Sequence, residues 1–254
     1  MAPYLRYVAL GDSFTEGVGD PDPTRPNGLR GWADRVAEQL ARQDPRFRYA
    51  NLAIRGRKLP AILAEQIEPA LALAPDLVTI YAGGNDMLRP KVDLDARVAA
   101  YDEALGRLAG TGARLLVWTA FDAGDSGVFG SLRGRFALYN ELVREAADNH
   151  GATIVDFWRF HEYRDWRYWD TDRLHMGPAG HQRMAQRVLD LLGVPHTIAD
   201  PVLPELPVRS RREQARDNLE WARTSAVPWV HRRLTGRSSG DTVTPKRPTL
   251  APIE

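Results

Sequence analysis

The chain contains no cysteine, which excludes disulfides and thiol chemistry. It also has no apolar run near the roughly 20 residues that a bilayer span requires. Its first residues lack the basic, apolar and small-residue regions of a signal peptide, because Tyr4–Leu10 is short and reads as a strand. The expectation is a cytoplasmic protein with no membrane span. An excess of one charge is missing too: 34 Lys and Arg against 33 Asp and Glu leave a net of +1, which argues against nucleic-acid binding. Residues 204–254 hold 10 Lys/Arg and 6 Asp/Glu, a local +4, leaving −3 for residues 1–203. So modest a bias reads as a solvated surface. No His/Asp cluster has metal-ligand spacing, no cofactor is expected, and no internal repeat is present.

What is present suits one domain of about 200 residues plus an appendage, or two small domains. The 254 residues are 43% hydrophobic and 26% charged, enough to bury a substantial core. Five β-rich runs, at 5–10, 47–52, 77–81, 115–118 and 153–157, alternate with amphipathic segments near 28–43, 59–73, 93–109, 131–150 and 178–192. In the second segment Leu59, Ile62, Leu63, Gln66, Ile67 and Ala70 follow the spacing of one buried helical stripe. This alternation favours right-handed βαβ crossovers. The fold expected is a three-layer α/β/α sandwich around a five-stranded parallel sheet, flavodoxin-like with strand order 2-1-3-4-5.

The expected domain occupies 1–200 and a Pro/Arg-rich extension 201–254. Pro195, Pro201, Pro204 and Pro207 make a stiff connection. Ser210-Arg211-Arg212-Glu213 has the form of a capping box that opens a helix to about Thr224. Pro228 is positioned to begin a second short helix carrying Trp229, Val230 and Leu234. With Leu206, Leu219, Trp221, Ala222 and Val227, these apolar side chains favour helices docked on the domain over a free arm. From Gly236 onward, Ser, Gly, Thr and Pro content predicts an extended or flexible end.

The chemistry-bearing segments are four. Gly11-Asp12-Ser13-Phe14-Thr15-Glu16-Gly17 follows the first β run, so a parallel sheet exposes the Ser13 hydroxyl at its carboxyl edge. Serine is a weak nucleophile until a base takes its proton and a third group orients that base. His175 and Asp172 suit those roles in the chain order Ser…Asp…His, with Asp170 the nearest rival acid. His150, His161, His181, His196 and His231 lack an equally placed acid. Acyl transfer also needs donors aimed at the developing oxyanion. The N–H groups of Ser13 and Gly56 and the side-chain amide of Asn85 follow the first three strands, and their convergence on one edge is the argument. Asp12 and Asp86 read as loop-fixing carboxylates.

Gly11-Asp12-Ser13, Asn51-x-Ala53-x-x-Gly56, Gly83-x-Asn85-Asp86 and Asp172-x-x-His175 resemble the four signature blocks of the SGNH/GDSL hydrolases, over roughly residues 4–193. The resemblance implies a flavodoxin-like fold and metal-independent serine ester hydrolysis. Ser13 would be the nucleophile, His175 the base, Asp172 its orienting acid, and Ser13, Gly56 and Asn85 the oxyanion hole. The expected substrate is a small short-acyl or acetyl ester, including acetylated sugars, with a monomeric enzyme favoured. Alternatives are a thioesterase or lysophospholipase on longer chains, and a non-enzymatic anion-binding module using the Gly11–Gly19 loop. The aromatic-rich residues 157–169 read as packing more than as an acyl pocket. The glycine-bearing Phe121–Arg133 segment reads as a loop able to rim the serine.

Overall fold

In the first strand, β1 (Arg6–Gly11), every residue but Arg6 is buried. Side chains alternate across a strand, so Val8 and Leu10 enter one core while Tyr7 and Ala9 enter another. A strand apolar on both faces needs helices on both sides, and the chain supplies them. The computed structural model describes residues 4–89, 91–122, 124, 130–205, 210–228 and 238–253.

Chain order runs through β1, a single turn α1 (Ser13–Glu16), α2 (Gly31–Gln43), β2 (Arg48–Asn51), α3 (Leu59–Ala72), β3 (Leu77–Tyr81) and the short α4 (Gly84–Met87). It continues with α5 (Leu94–Ala109), β4 (Arg114–Trp118), α6 (Arg133–Asn149), β5 (Thr153–Val155) and α7 (Pro178–Leu192). One core lies under α3, α5 and α6, the other under α2 and α7. Leu59, Ile62, Gln66, Ile67 and Ala70 are the buried stripe of α3, as their spacing predicts. Strand order is β5-β4-β3-β1-β2-β6, with β1 to β5 mutually parallel. The α/β/α sandwich and the 2-1-3-4-5 order therefore match the expectation.

The sheet differs by one strand. Residues Arg247–Ala251 form β6, antiparallel to β2, with Tyr49 opposite Ala251 and Asn51 opposite Arg247. The end that composition marks as extended or flexible is thus extended over Arg247–Ala251, as an edge strand, a position where Pro248 is tolerated. Lys246 anchors it: Nζ lies 2.9 Å from Asp34 Oδ2 and donates to the Arg30 carbonyl at 2.7 Å, with both side chains wholly buried.

The capping box at Ser210 forms, with Ser210 Oγ accepting from Glu213 N and the Glu213 carboxylate accepting from Ser210 N. It opens α8 (Arg211–Trp221), which passes into a π-helical turn at Ala222–Ala226. Leu219 and Val227 are each 61% exposed, so these two do not dock as expected, and Trp221 is half-buried. Leu206, Trp229, Val230 and Leu234 lie outside the described residues. Among the described residues no helix is long and apolar enough to cross a membrane.

Candidate active site

Ser13 stands where β1 gives way to α1, and the backbone just before it is held by a buried side chain. Gln66 Oε1 accepts from Gly11 N at 2.8 Å, and its Nε2 donates to Gly11 O at 2.9 Å. The amide thus replaces a strand neighbour where the ladder ends. Gly11 adopts φ 141°, and a Cβ there would stand 2.3 Å from the Tyr81 carbonyl oxygen, so β1 and β3 can approach only with glycine at this point. Asp12 caps the turn by accepting from Phe14 N at 3.2 Å. Asn51, at the end of β2, donates to the Thr15 carbonyl at 2.9 Å. Glu16, fully buried, accepts from Arg55 N at 2.7 Å and from Arg55 Nη2 at 2.5 Å. The serine turn is therefore tied directly to the segment that carries Gly56.

The second segment is a clasped loop. Trp169 bridges Met176, and Asp170 N donates to the His175 carbonyl at 2.8 Å. Arg173 sits at φ 57°, the left-handed region that costs a non-glycine residue roughly 1–2 kcal/mol. This bend turns the Asp172 carboxylate back on the loop. Its Oδ1 accepts from Leu174 N and His175 N at 2.9 and 3.0 Å, and Oδ2 lies 2.5 Å from His175 Nδ1. His175 Nε2 is 2.9 Å from Ser13 Oγ. Burial works against ionisation of Asp172, but the hydrogen bonds and charge of His175 outweigh it and hold the carboxyl below its ordinary value. Asp170 instead accepts from Thr171 N at 2.7 Å. The structure thus brings Ser13, His175 and Asp172 into one hydrogen-bonded line.

The expected oxyanion donors share the same rim. Asn85 Nδ2 donates to Asp12 Oδ2 at 3.1 Å, one residue before Ser13, and to the Arg57 carbonyl at 3.0 Å, one residue after Gly56. Neither the Ser13 N–H nor the Gly56 N–H has a backbone acceptor among the described residues. Gly56 adopts φ 73°, and a Cβ on it would stand 2.2 Å from Ser238 Oγ. Asp86 accepts from Leu59 N at 2.7 Å and so ties α4 to the start of α3. Burial pushes Asp12 up to about 7, so it sits between its charged and neutral forms near neutral pH.

The aromatic segment is mainly packing. Phe157 makes an edge contact with Tyr163 at 4.7 Å, and Trp169 lies beside Phe121 at 4.8 Å. Phe14, Phe121 and Trp169 are half-buried, and the Phe14 ring is 6.2 Å from His175. Residues 123 and 125–129 of the expected rim loop lie outside the described residues. Three contributors go unnoticed in the sequence reading: Gln66, Glu16 and His181. His181 accepts from Trp32 N at 3.1 Å and donates to the Val18 carbonyl at 3.0 Å. Burial pushes its imidazole down to about 4, so it is a neutral bridge behind the serine turn. The sequence names each without this role: Gln66 as one more member of an apolar stripe, Glu16 inside the serine segment and His181 among the histidines without a placed acid.

The model of the GDSL-like lipase/acylhydrolase family matches residues 9–183, a span that includes the serine turn and the acid–base loop. The chain belongs to this family. It is an ester-hydrolysing enzyme. Its fold is similar to that of LAE5, an alpha/beta hydrolase from the metagenome of Lake Arreo, at 24% identity and TM-score 0.62, covering 76% of this chain and 97% of that one. A catalytic mutant of Axe2, an acetylxylan esterase from Geobacillus stearothermophilus, matches at 22% identity and TM-score 0.64, covering 77% and 98%. The esterase EstA from Pseudoalteromonas sp. matches at 14% identity and TM-score 0.58, covering 74% and 96%. No curated protein matches the chain.

Proposed function

We propose that this GDSL-family hydrolase is a serine esterase cleaving short-acyl esters through an acyl-enzyme on Ser13. The observation that carries the reading is the line Asp172–His175–Ser13, with separations of 2.5 and 2.9 Å. Asp172 holds the imidazole with Nδ1 protonated and Nε2 free to accept. As Ser13 Oγ bonds to the ester carbon, its proton passes to His175 Nε2. The C–O bond to the alcohol then breaks, and His175 returns that proton to the leaving oxygen. Water repeats the sequence on the acyl-enzyme, releasing the acid and restoring Ser13. No step calls on a metal.

The negative charge that develops on the carbonyl oxygen falls to the N–H groups of Ser13 and Gly56 and to Asn85. The Asn85 amide already serves two acceptors, so one N–H must turn to the oxyanion as it forms. That makes its contribution greatest in the transition state. The half-buried rings of Phe14, Phe121 and Trp169 offer a short apolar wall near His175. An acetyl or similarly small acyl group suits such a wall, and one structural relative is an acetylxylan esterase.

A fluorophosphonate should label the wild-type protein and fail to label Ser13→Ala. A chain-length series of p-nitrophenyl esters should give its highest kcat/KM at two to four acyl carbons. Absence of labelling would overturn the nucleophile, and an optimum beyond about eight carbons would move the enzyme to the long-acyl class.

A further inference from the structure

The family match ends at residue 183, and the structural relatives match over 96–98% of their own lengths while leaving about a quarter of this chain uncovered. Residues 210–228 and 238–253 nevertheless reach the site from two sides. Trp221 Nε1, at the end of α8, donates to the Asp172 carbonyl at 2.8 Å. The neighbouring Arg173 lays its guanidinium 5.0 Å from the centre of the Trp221 ring and donates from Nη1 to Asn218 Oδ1 at 2.8 Å. On the opposite rim the turn at 238–241 closes over the oxyanion segment, with Ser238 against Gly56 and Gly240 against the Arg55 carbonyl.

Apolar burial does not explain where α8 lies. None of its residues is fully buried, and Leu219 is 61% exposed. Its polar and ring contacts fall instead on Asp172 and Arg173, the residues whose backbone sets the acid. Arg173 is held in the left-handed region, which an arginine adopts only when its surroundings over-determine it. Two groups on α8 grip its side chain, and a third fixes the peptide that precedes it. Were that peptide to rotate, the Asp172 carboxylate would leave His175 Nδ1, and the imidazole would lose its alignment with Ser13.

We propose that α8 positions the acid–base loop, with Trp221 and Asn218 as positioning residues acting through Asp172 and Arg173. The inference rests on the assignment of Asp172 and His175 above. The C-terminal extension is then part of the working enzyme rather than an appendage.

The test uses the full-length protein and p-nitrophenyl acetate. Trp221→Phe keeps a ring for Arg173 but loses the N–H. It should lower kcat about tenfold with KM within about twofold, because small misplacements of reacting groups act on rate. Asn218→Ala, at an exposed helix position, should lower kcat about threefold in the same pattern. Leu219→Ala on the same helix should match wild type. Unchanged kcat in both Trp221→Phe and Asn218→Ala overturns the proposal, as does a loss that appears in KM alone. If Trp221→Phe fails to fold, Asn218→Ala decides by the same criterion. Fluorophosphonate labelling of wild type separates this from the parent reading: a labelled wild type with fully active variants overturns only the positioning role.

Discussion

The serine turn and the acid–base loop meet at one hydrogen bond of 2.9 Å, yet they are built in opposite ways. The turn is held by groups from elsewhere in the fold: the buried Gln66 from α3 and Asn51 from β2, and the half-buried Arg55 from the segment after it. The loop is held by contacts at the surface: Asp172 folding onto its own next residues, a bridge at its base, and the grip of Trp221 and Asn218 from the exposed helix α8. It is also half-exposed, whereas Ser13 is 6% exposed. A nucleophile fixed by the core inherits the rigidity of the core. A base on a loop held at the surface keeps its geometry only while each of these few contacts survives. Damage to the first should therefore register as lost stability, and damage to the second as lost rate.

The largest effect that sharpens this contrast is Asp172→Asn. It should reduce kcat by about 10³–10⁴ while leaving the melting temperature near wild type, because the amide permits the wrong imidazole tautomer. Asp170→Asn should change kcat little, and steady-state kinetics on the pair would expose a misassigned acid if the order reversed. Next, Asn85→Ala should lower kcat by about 10²–10³ with a small change in KM. A change in KM alone would make Asn85 a substrate-binding group instead. On the other side of the comparison, Gln66→Leu leaves the Gly11 N–H without its partner in the core and its carbonyl with the Ile54 N–H alone, and an orphaned buried donor costs about 1–3 kcal/mol. Thermal denaturation should show the loss, and a protein that melts at the wild-type temperature would break the contrast.

The smallest effect is a pH slope. Asp12 in the folded protein titrates at about 7 against an ordinary 3.8. The native state therefore binds a proton that the unfolded state has released, and stability falls as pH rises through that interval. The contribution is full below the unfolded value and lost as pH passes the folded one. Asp12→Asn removes the titration. Melting curves from pH 5 to 8 should fall less steeply for the variant than for wild type, and parallel curves would reject the assignment.

How much of this was legible in sequence follows from the range of the interactions. The strands and helices of the sandwich rest on local periodicity, and α3 ends within one residue of its expected limit. Ser13, Asp172, His175, Gly56 and Asn85 stand out because each lies in a short motif next to a strand or turn. Gln66 escapes because its partner Gly11 is 55 residues away, and Glu16 because Arg55 is 39 away. The left-handed Arg173 carries no signal at all, since arginine is not a residue that marks such a bend. β6 escapes for the same reason as Gln66: Lys246 meets Asp34 across 212 residues, and composition near the chain's end reports only a local lack of apolar side chains.

That buried pair has a consequence for biosynthesis. Asp34 and β2 emerge early from the ribosome, and the strand that covers them emerges near the end of residues 1–254. Until it arrives, β2 presents an open row of N–H and carbonyl groups, the template on which strands of separate chains join. Asp34 must meanwhile stay hydrated or protonated. β6 covers that row and becomes the edge itself, where Pro248 offers no N–H to a further strand, and its late docking is a long-range contact of the kind that slows folding. A protease cut that released the strand from Lys246 onward would reopen the β2 edge and leave a seed for aggregation.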